Sequence, residues 1–169
     1  MIRDDQHLVL VGLMGSGKST VARLIGERLG RRVLDTDALI EEQTGRSVRE
    51  IFATDGEDAF RDLEEDVLAA ALASPEPVVV AGAGGIVVRA ANRALLTASD
   101  ARVVWLCADV STLLERVRGG GHRPLLDADP EGTLQRMAQT REPLYREVAD
   151  AIVLVDGRSL GDVVEAVLR

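Results

Sequence analysis

Five short apolar segments alternate along the chain with longer segments whose apolar residues recur at helical spacing. Each of the five is a continuous apolar run, which is typical of a strand that is buried on both faces of a parallel sheet. The order of strand and helix predicts an α/β fold with right-handed crossovers. The predicted strands are residues 8–11, 32–34, 78–80, 103–106 and 152–155.

Two sequences of the capping-box form predict helix starts, at residues 47–50 (Ser-Val-Arg-Glu) and 54–57 (Thr-Asp-Gly-Glu). The second precedes a long segment in which apolar residues recur at the spacing of a helix face. These residues are Phe60, Leu63, Val67 and Leu68. An Asp-Gly-Arg-Ser sequence at 156–159 separates the last strand from a C-terminal helix.

One long segment, residues 119–130, has the composition of a loop. It opens on three glycines and contains Arg123 followed by Pro124. Glycine lowers the cost of hinge conformations, so the segment is predicted to be a mobile lid. No linker, internal repeat or low-complexity stretch divides the rest, and residues 1–169 are predicted to form a single domain.

Composition narrows the class of protein. The chain has 46% hydrophobic and 28% charged residues, which fits a globular protein, and no apolar run approaches the roughly 20 residues of a transmembrane helix. The N-terminus is polar and lacks a signal sequence, so we expect a cytoplasmic protein. A net charge of −8 argues against binding to nucleic acid or anionic membranes. Anionic ligands would therefore need a local cluster of basic residues.

The strongest chemical signal follows the first strand. Residues 12–20, Gly-Leu-Met-Gly-Ser-Gly-Lys-Ser-Thr, match the phosphate-binding P-loop, and they stand between a strand and a helix as that motif requires. Lys18 would reach the β- and γ-phosphates of a nucleotide, and the Ser19 hydroxyl would bind Mg²⁺. No guanine-reading motif is present, which leaves a compact metabolic kinase or a P-loop binding module. The predicted ATP-binding residues of the loop are Gly15, Ser16, Gly17, Lys18, Ser19 and Thr20.

An acidic pair, Asp35 and Asp37, follows the second predicted strand. Ligands of parallel sheets bind beyond the carboxyl ends of the strands, so the pair should face the P-loop. On an extended backbone the two side chains would share a face, one holding a water on Mg²⁺ and the other accepting a hydrogen bond from a substrate hydroxyl. An equally weighted alternative makes Asp37 the N-cap of the next helix.

Further motifs make the chain resemble the shikimate kinase family across nearly its whole length. They are Asp-Thr-Asp at 35–37, Ile-Phe-Ala-Thr-Asp-Gly-Glu at 51–57 with Phe-Arg at 60–61, Gly-Ala-Gly-Gly at 82–85, Arg-Pro-Leu-Leu at 123–126 and Arg-Glu-Pro-Leu-Tyr at 141–145. The resemblance implies a three-layer α/β/α fold of the P-loop type around a five-stranded parallel sheet. It also implies transfer of phosphate from ATP, with Mg²⁺, to the 3-hydroxyl of shikimate. We expect a monomer.

The resemblance assigns roles to individual residues. Asp35 would support Mg²⁺ through water together with Ser19, and Asp37 would bind the substrate hydroxyls and act as the base. Arg61 and Arg141 would bind the substrate carboxylate, beside Ala83 and Gly84. Arg123 would close over the ATP phosphates and Arg158 would border the nucleotide. Lys18, Asp37 and Arg123 are the implied catalytic residues.

Spacing alone gives these arginines plainer roles. Arg61 lies four residues from both Glu57 and Glu65, as in a surface salt bridge of about 0.3–0.5 kcal/mol. Arg141 ends a predicted helical stretch, where it would complement the helix dipole. A loop arginine such as Arg123 is usually just solvated.

The chain departs from the family at Ala83, where the family has a glycine whose N–H faces the substrate. Alanine fits if its φ is negative, whereas a positive φ would cost about 1 kcal/mol. Two other functions therefore stay open: a kinase for another polyhydroxy acid such as gluconate, and a binding module of this family without catalysis.

Overall fold

A five-stranded parallel sheet forms the centre of the fold. The computed structural model describes residues 1–118 and 129–169. The strands lie in the order β2-β3-β1-β4-β5, which puts the strand before the P-loop in the middle of the sheet. Their bounds are β1 Leu8–Val11, β2 Val33–Asp35, β3 Val79–Ala81, β4 Arg102–Cys107 and β5 Ala151–Leu154.

Helices cover both faces of the sheet. Leu8 and Leu10 of β1 pack in one apolar cluster with the first and last helices, and Val9 and Val11 pack in another with helices of the opposite face. The predicted three-layer α/β/α architecture is confirmed. The helices are α1 Lys18–Leu29, α2 Thr36–Thr44, α3 Val48–Thr54, α4 Gly56–Leu72, α5 Ala90–Ala98, α6 Val110–Arg118, α7 Pro130–Val148 and α8 Leu160–Leu168.

The strand prediction is right in position but wrong in detail at the edge of the sheet. Four of the five strands differ from the predicted bounds by one residue at one or both ends. In β5, Ile152 and Leu154 are 42% and 56% exposed, so this strand is buried on one face only. An apolar run does not reveal whether both faces of a strand are buried, because that depends on which helices cover the sheet at that strand.

One of the two predicted capping boxes forms. Ser47 Oγ accepts from the Glu50 N–H at 3.2 Å, and the Glu50 carboxylate accepts from the Ser47 N–H at 2.7 Å. The box predicted at 54–57 is wrong, because Thr54 is the last residue of α3 and its hydroxyl donates to the Glu50 carbonyl. Asp55 precedes α4 without a side-chain cap bond.

The segment predicted as a lid, 119–130, falls almost wholly outside the described residues, and so does Arg123. Its last two residues belong to α7: Asp129 caps the helix by accepting from the Gly132 N–H, and Pro130 is the first helical residue. Within the described residues, no helix is long and apolar enough to cross a membrane.

Candidate active site

The P-loop joins the central strand β1 to α1, and its backbone requires glycine. Gly12, Gly15 and Gly17 have φ values of 142°, 83° and 92°. A Cβ at Gly12 would also lie 2.5 Å from the Leu106 carbonyl oxygen. Gly17 is the N-cap of α1, so the helix begins without a side-chain cap. An uncapped helix start with its positive dipole end is suited to a phosphate group.

Lys18 lies over this loop. Its side chain is buried, and Nζ donates to the Leu13 carbonyl oxygen at 2.8 Å and to Ser16 Oγ at 3.4 Å. The ammonium group is thereby held within the loop that would bind phosphate.

The two aspartates of the acidic pair have structural roles that differ from those predicted from the sequence. Asp35 Oδ1 accepts from the N–H groups of Asp37 and Ala38, so Asp35 and not Asp37 is the N-cap of α2. Asp35 Oδ2 accepts a 2.7 Å hydrogen bond from Ser19 Oγ. Asp37 is helical, so the extended-backbone argument for a shared face is wrong. Both carboxylates nevertheless line one cleft with Lys18.

Asp37 is an unusually basic carboxylate. Burial, together with the charge of Asp35, raises its pKa from 3.8 to about 6, while Lys18 and Arg61 act in the opposite direction. Its Oδ1 is buried and has no hydrogen-bond partner among the described residues. A carboxylate in this state is ionised at neutral pH and can accept a proton or a hydroxyl hydrogen bond.

Arg61 is a buried residue of α4, only 6% exposed, although it forms the predicted ion pair with the exposed Glu57. It donates to Glu64 at 2.9 Å and to Glu57 at 3.0 Å. The predicted partner Glu65 instead lies 3.5 Å from Arg89.

Glu64 was not singled out from the sequence. It is fully buried, and burial raises its pKa despite the opposing charge of Arg61. Its Oε1 has no hydrogen-bond partner in residues 1–118 and 129–169. A signal was available, because Glu64 lies at helical spacing within the apolar face of α4, between Phe60 and Leu68. A carboxylate there is buried together with whatever pairs with it.

Arg141 does not end a helix. α7 continues through Pro143 to Val148, and Arg141 lies one turn before the buried Tyr145. The Tyr145 hydroxyl donates to the Gly84 carbonyl oxygen. Burial raises the pKa of Tyr145, and the charge of Arg141 and its hydrogen bond to the hydroxyl lower that pKa. The dipole explanation for Arg141 is therefore wrong.

Residues 82–85, here called the glycine loop, follow β3, and the guanidinium groups of both arginines lie beside them. A Cβ at Gly85 would lie 2.2 Å from Arg61 Nη1, and one at Gly84 would lie 3.6 Å from Arg141 Nη1. Ala83 does not have a positive φ, so alanine is unstrained there. Its N–H donates to Thr36 Oγ1 at 2.9 Å. The expectation that this N–H faces the substrate is therefore wrong.

Two clefts flank the P-loop. The first has a volume of about 300 Å³ and is lined by the loop, the acidic pair and the glycine loop, including Ala83 and Gly84. The second, about 330 Å³, is lined by Arg116, Arg158 and Leu160 together with Gly15 and Thr20. Arg116 donates to the Gly15 carbonyl oxygen at 3.2 Å, a contact that the sequence did not reveal because 101 residues separate the pair.

Comparison with known proteins identifies the family. The family model described as shikimate kinase matches residues 14–169. The chain belongs to the shikimate kinase family. A shikimate kinase of Symbiobacterium thermophilum is 47% identical over 96% of this chain and 94% of that protein. One of Streptomyces coelicolor is 44% identical over 95% and 92%. The solved shikimate kinase of Acinetobacter baumannii, in complex with shikimate, is 37% identical, covers 96% of this chain and 90% of that chain, and superposes with a TM-score of 0.90.

Membership of the shikimate kinase family confirms three predictions from the sequence: the P-loop α/β fold, the enzymatic class of ATP-dependent kinase, and shikimate as the substrate. The match extends from residue 14 to residue 169, so it rests on nearly the whole chain and not on the P-loop alone.

Proposed function

We propose that this chain transfers the terminal phosphoryl group of ATP directly to the 3-hydroxyl of shikimate, without a covalent enzyme intermediate. The observation that carries the proposal is one cleft in which a P-loop, two carboxylates and a loop contacting two arginines meet. The Acinetobacter baumannii relative, which binds shikimate, supports the choice of acceptor. Phosphoryl transfer needs mainly positioning and charge neutralisation, and this cleft supplies both.

The nucleotide would occupy both clefts. Its phosphates would bind the N–H groups of the P-loop and Lys18, at the uncapped start of α1. Its adenosine part would extend into the second cleft between Arg116 and Arg158. Both arginines are exposed, and the apolar Leu160 beside them offers a surface for a base. Arg123 lies outside the described residues, and its closure over the phosphates remains a prediction.

The donor groups fit a Mg²⁺ ion bound with the nucleotide. Ser19 Oγ and Asp35 Oδ2, which lie 2.7 Å apart, are the oxygen ligands that this ion prefers. Among the described residues no group of three or more His, Cys, Asp or Glu forms a metal cluster. That fits an ion that keeps several waters and takes few protein ligands. When bound, the ion would neutralise charge on the transferring phosphate.

The acceptor side rests on three residues. Asp37 would accept the hydrogen bond of the attacking hydroxyl and hold its proton, for which a pKa of about 6 is well matched. Arg61 and Arg141 approach the glycine loop from α4 and α7, and they would bind the carboxylate of shikimate. The positive groups Lys18, Arg61 and Arg141 thus give an acidic protein a site for anions.

A coupled assay of ADP release tests the proposal. We expect ADP release that depends on shikimate, ceases with EDTA, and returns when Mg²⁺ is added in excess of the chelator. The product, shikimate 3-phosphate, would be identified by ³¹P and ¹H NMR. ATP binding without ADP release in the presence of shikimate would instead indicate a binding module. Monomeric state, cytoplasmic location and lack of binding to nucleic acid or membranes stay predictions, the first testable by sedimentation.

A further inference from the structure

Two buried hydroxyl groups hold the backbone of the glycine loop. Thr36 Oγ1 accepts the Ala83 N–H at 2.9 Å, and the Tyr145 hydroxyl donates to the Gly84 carbonyl oxygen. Both side chains are fully buried, with exposed fractions of 0%. Backbone hydrogen bonds hold the ends of the loop, from the Gly82 N–H to the Leu10 carbonyl oxygen and from the Ile86 N–H to the Ala83 carbonyl oxygen, both at 3.0 Å. The two hydroxyls bond the Ala83 N–H and the Gly84 carbonyl oxygen between those ends.

Each hydroxyl belongs to an element that also carries a charged group of the site. Thr36 is the first residue of α2, between Asp35 and Asp37. Tyr145 lies one helical turn after Arg141 on α7. In sequence, 47 residues separate Thr36 from Ala83, and 61 separate Gly84 from Tyr145. The loop is therefore bonded on one side to the helix that carries Asp37 and on the other to the helix that carries Arg141.

From this arrangement we propose that Thr36 and Tyr145 are positioning residues for shikimate, which act by fixing the glycine loop between Asp37 and Arg141. The inference rests on the roles proposed above for Asp37 and Arg141. Shikimate must reach Asp37 with a hydroxyl and an arginine with its carboxylate at the same time. The separation of these two protein groups then matters for binding, and the loop sets it.

Removing either hydroxyl leaves a backbone group of the loop without its partner, since a buried N–H or carbonyl oxygen must find another hydrogen bond. The loop would then shift to satisfy that group, and in Tyr145→Phe Arg141 would also lose its hydrogen bond to the Tyr145 hydroxyl. Binding of shikimate should suffer, whereas ATP binds on the P-loop side and should not. A residue that only stabilised the fold would not discriminate between the two substrates.

The test uses the full-length enzyme with Thr36→Val and Tyr145→Phe, which keep the shape of each side chain. Thr97→Val is the matched control, because that hydroxyl is exposed on α5 and bonds only to the Arg93 carbonyl of its own helix. We expect KM for shikimate, and its Kd by calorimetry, to rise about tenfold in each test variant, equivalent to about 1.4 kcal/mol. KM for ATP should stay within about twofold. Thr36→Ser should restore the wild-type KM.

A double-mutant cycle locates the effect of Tyr145. If Tyr145 acts through Arg141, then Tyr145→Phe should change KM for shikimate much less in an Arg141→Ala background than alone. Additive effects would overturn that step. Should Thr36→Val not fold, Thr36→Ala and the Tyr145 cycle still test the inference.

Equal KM values for wild type, Thr36→Val and Tyr145→Phe, with only a lower Tm, would reduce the two hydroxyls to a structural role. The proposed function would stand in that case, provided that Arg141→Ala still raises KM for shikimate. A wild-type enzyme that neither binds nor phosphorylates shikimate would instead overturn the proposed function itself.

Discussion

Ser19 Oγ donates a 2.7 Å hydrogen bond to Asp35 Oδ2, and this contact joins the first turn of α1 to the end of β2. The strands concerned, β1 before the P-loop and β2 ending at Asp35, are not neighbours, because β3 lies between them. Asp35 also caps α2 through Oδ1. One carboxylate thus fixes the helix that carries Asp37 and offers an oxygen beside the P-loop hydroxyl.

The double role of Asp35 gives a clean test of its charge. Asparagine caps a helix about as well as aspartate, so Asp35→Asn should leave Tm nearly unchanged. Loss of the negative charge should raise the Mg²⁺ concentration for half-maximal activity by at least about tenfold. The measurement is a Mg²⁺ titration of initial rates at fixed ATP, with circular dichroism as the check on folding. An unchanged titration curve would remove Asp35 from the metal site.

Lys18 is expected to act on the transferred phosphate. Lys18→Met keeps an apolar side chain of similar length, so the fold should be retained, while turnover should nearly vanish because the charge is needed where phosphoryl charge develops. The measurements are kcat, compared with that of the wild type, and circular dichroism as the check on folding. A rate within about tenfold of wild type, or less than about 1.4 kcal/mol, would contradict the role.

Asp37 should be needed for turnover, although its buried charge lowers the stability of the fold. Asp37→Asn should lower kcat by about 10²–10⁴, with little change in KM for ATP. In the wild type, kcat should fall as the pH drops through about 6, where the carboxylate takes up a proton. Asp66→Asn, an exposed change on α4, is the control. If the Asp37→Asn variant kept full kcat but no longer bound ATP, Asp37 would belong to the Mg²⁺ site and not to the acceptor site.

The same pKa predicts how stability depends on pH. The folded-state pKa of Asp37 lies above its ordinary value of 3.8, so ionisation opposes folding, and the penalty grows as pH rises from about 4 and is complete above about 6. Asp37→Asn should therefore raise the free energy of unfolding at pH 8 by about 1–3 kcal/mol, an advantage that disappears below about pH 4. Urea unfolding at both pH values measures it. A variant that is less stable at pH 8 would contradict the burial of this charge.

Loss of either arginine should weaken the binding of shikimate, but only loss of Arg61 should also lower the stability of the fold. Arg141→Ala should raise KM for shikimate about 10- to 100-fold through loss of a charge-assisted contact of about 1.5–3 kcal/mol. Arg61→Ala should do the same and also cost about 3–5 kcal/mol of stability, because Glu64 would be left buried and unpaired. Adding Glu64→Gln should recover part of that stability without recovering KM. Arg23→Ala, at an exposed pair on α1, is the control.

Neighbouring residues in the sequence were enough to predict the sheet and the P-loop, since each depends on a local pattern. The contacts between distant elements were not predictable in this way. Thr36 and Tyr145 carry no local signal for the backbone groups that they hold, whereas the spacing of Glu64 within the apolar face of α4 was such a signal. The alternative that made Asp37 the N-cap is wrong for a similar reason: both Asp35 and Asp37 suit a cap, and the end of β2 decides between them.

Ala83 should prove compatible with a shikimate site. Its φ is not positive, and its N–H is bonded to Thr36 instead of facing the acceptor. Ala83→Gly should therefore change kcat/KM for shikimate by no more than about tenfold and leave the preferred substrate unchanged. Activity on shikimate that appears only in the glycine variant would make Ala83 a specificity switch.

The most direct test of the account is kcat/KM of the wild-type enzyme for shikimate, quinate and gluconate in one coupled ADP-release assay. We expect kcat/KM for shikimate to exceed that for the other two acids by at least about 100-fold. All three acids offer a carboxylate, but only shikimate would place its 3-hydroxyl at Asp37 while its carboxylate binds the arginines. A preference for gluconate or quinate would contradict the substrate and leave the kinase. Absence of turnover with all three would contradict the kinase as well.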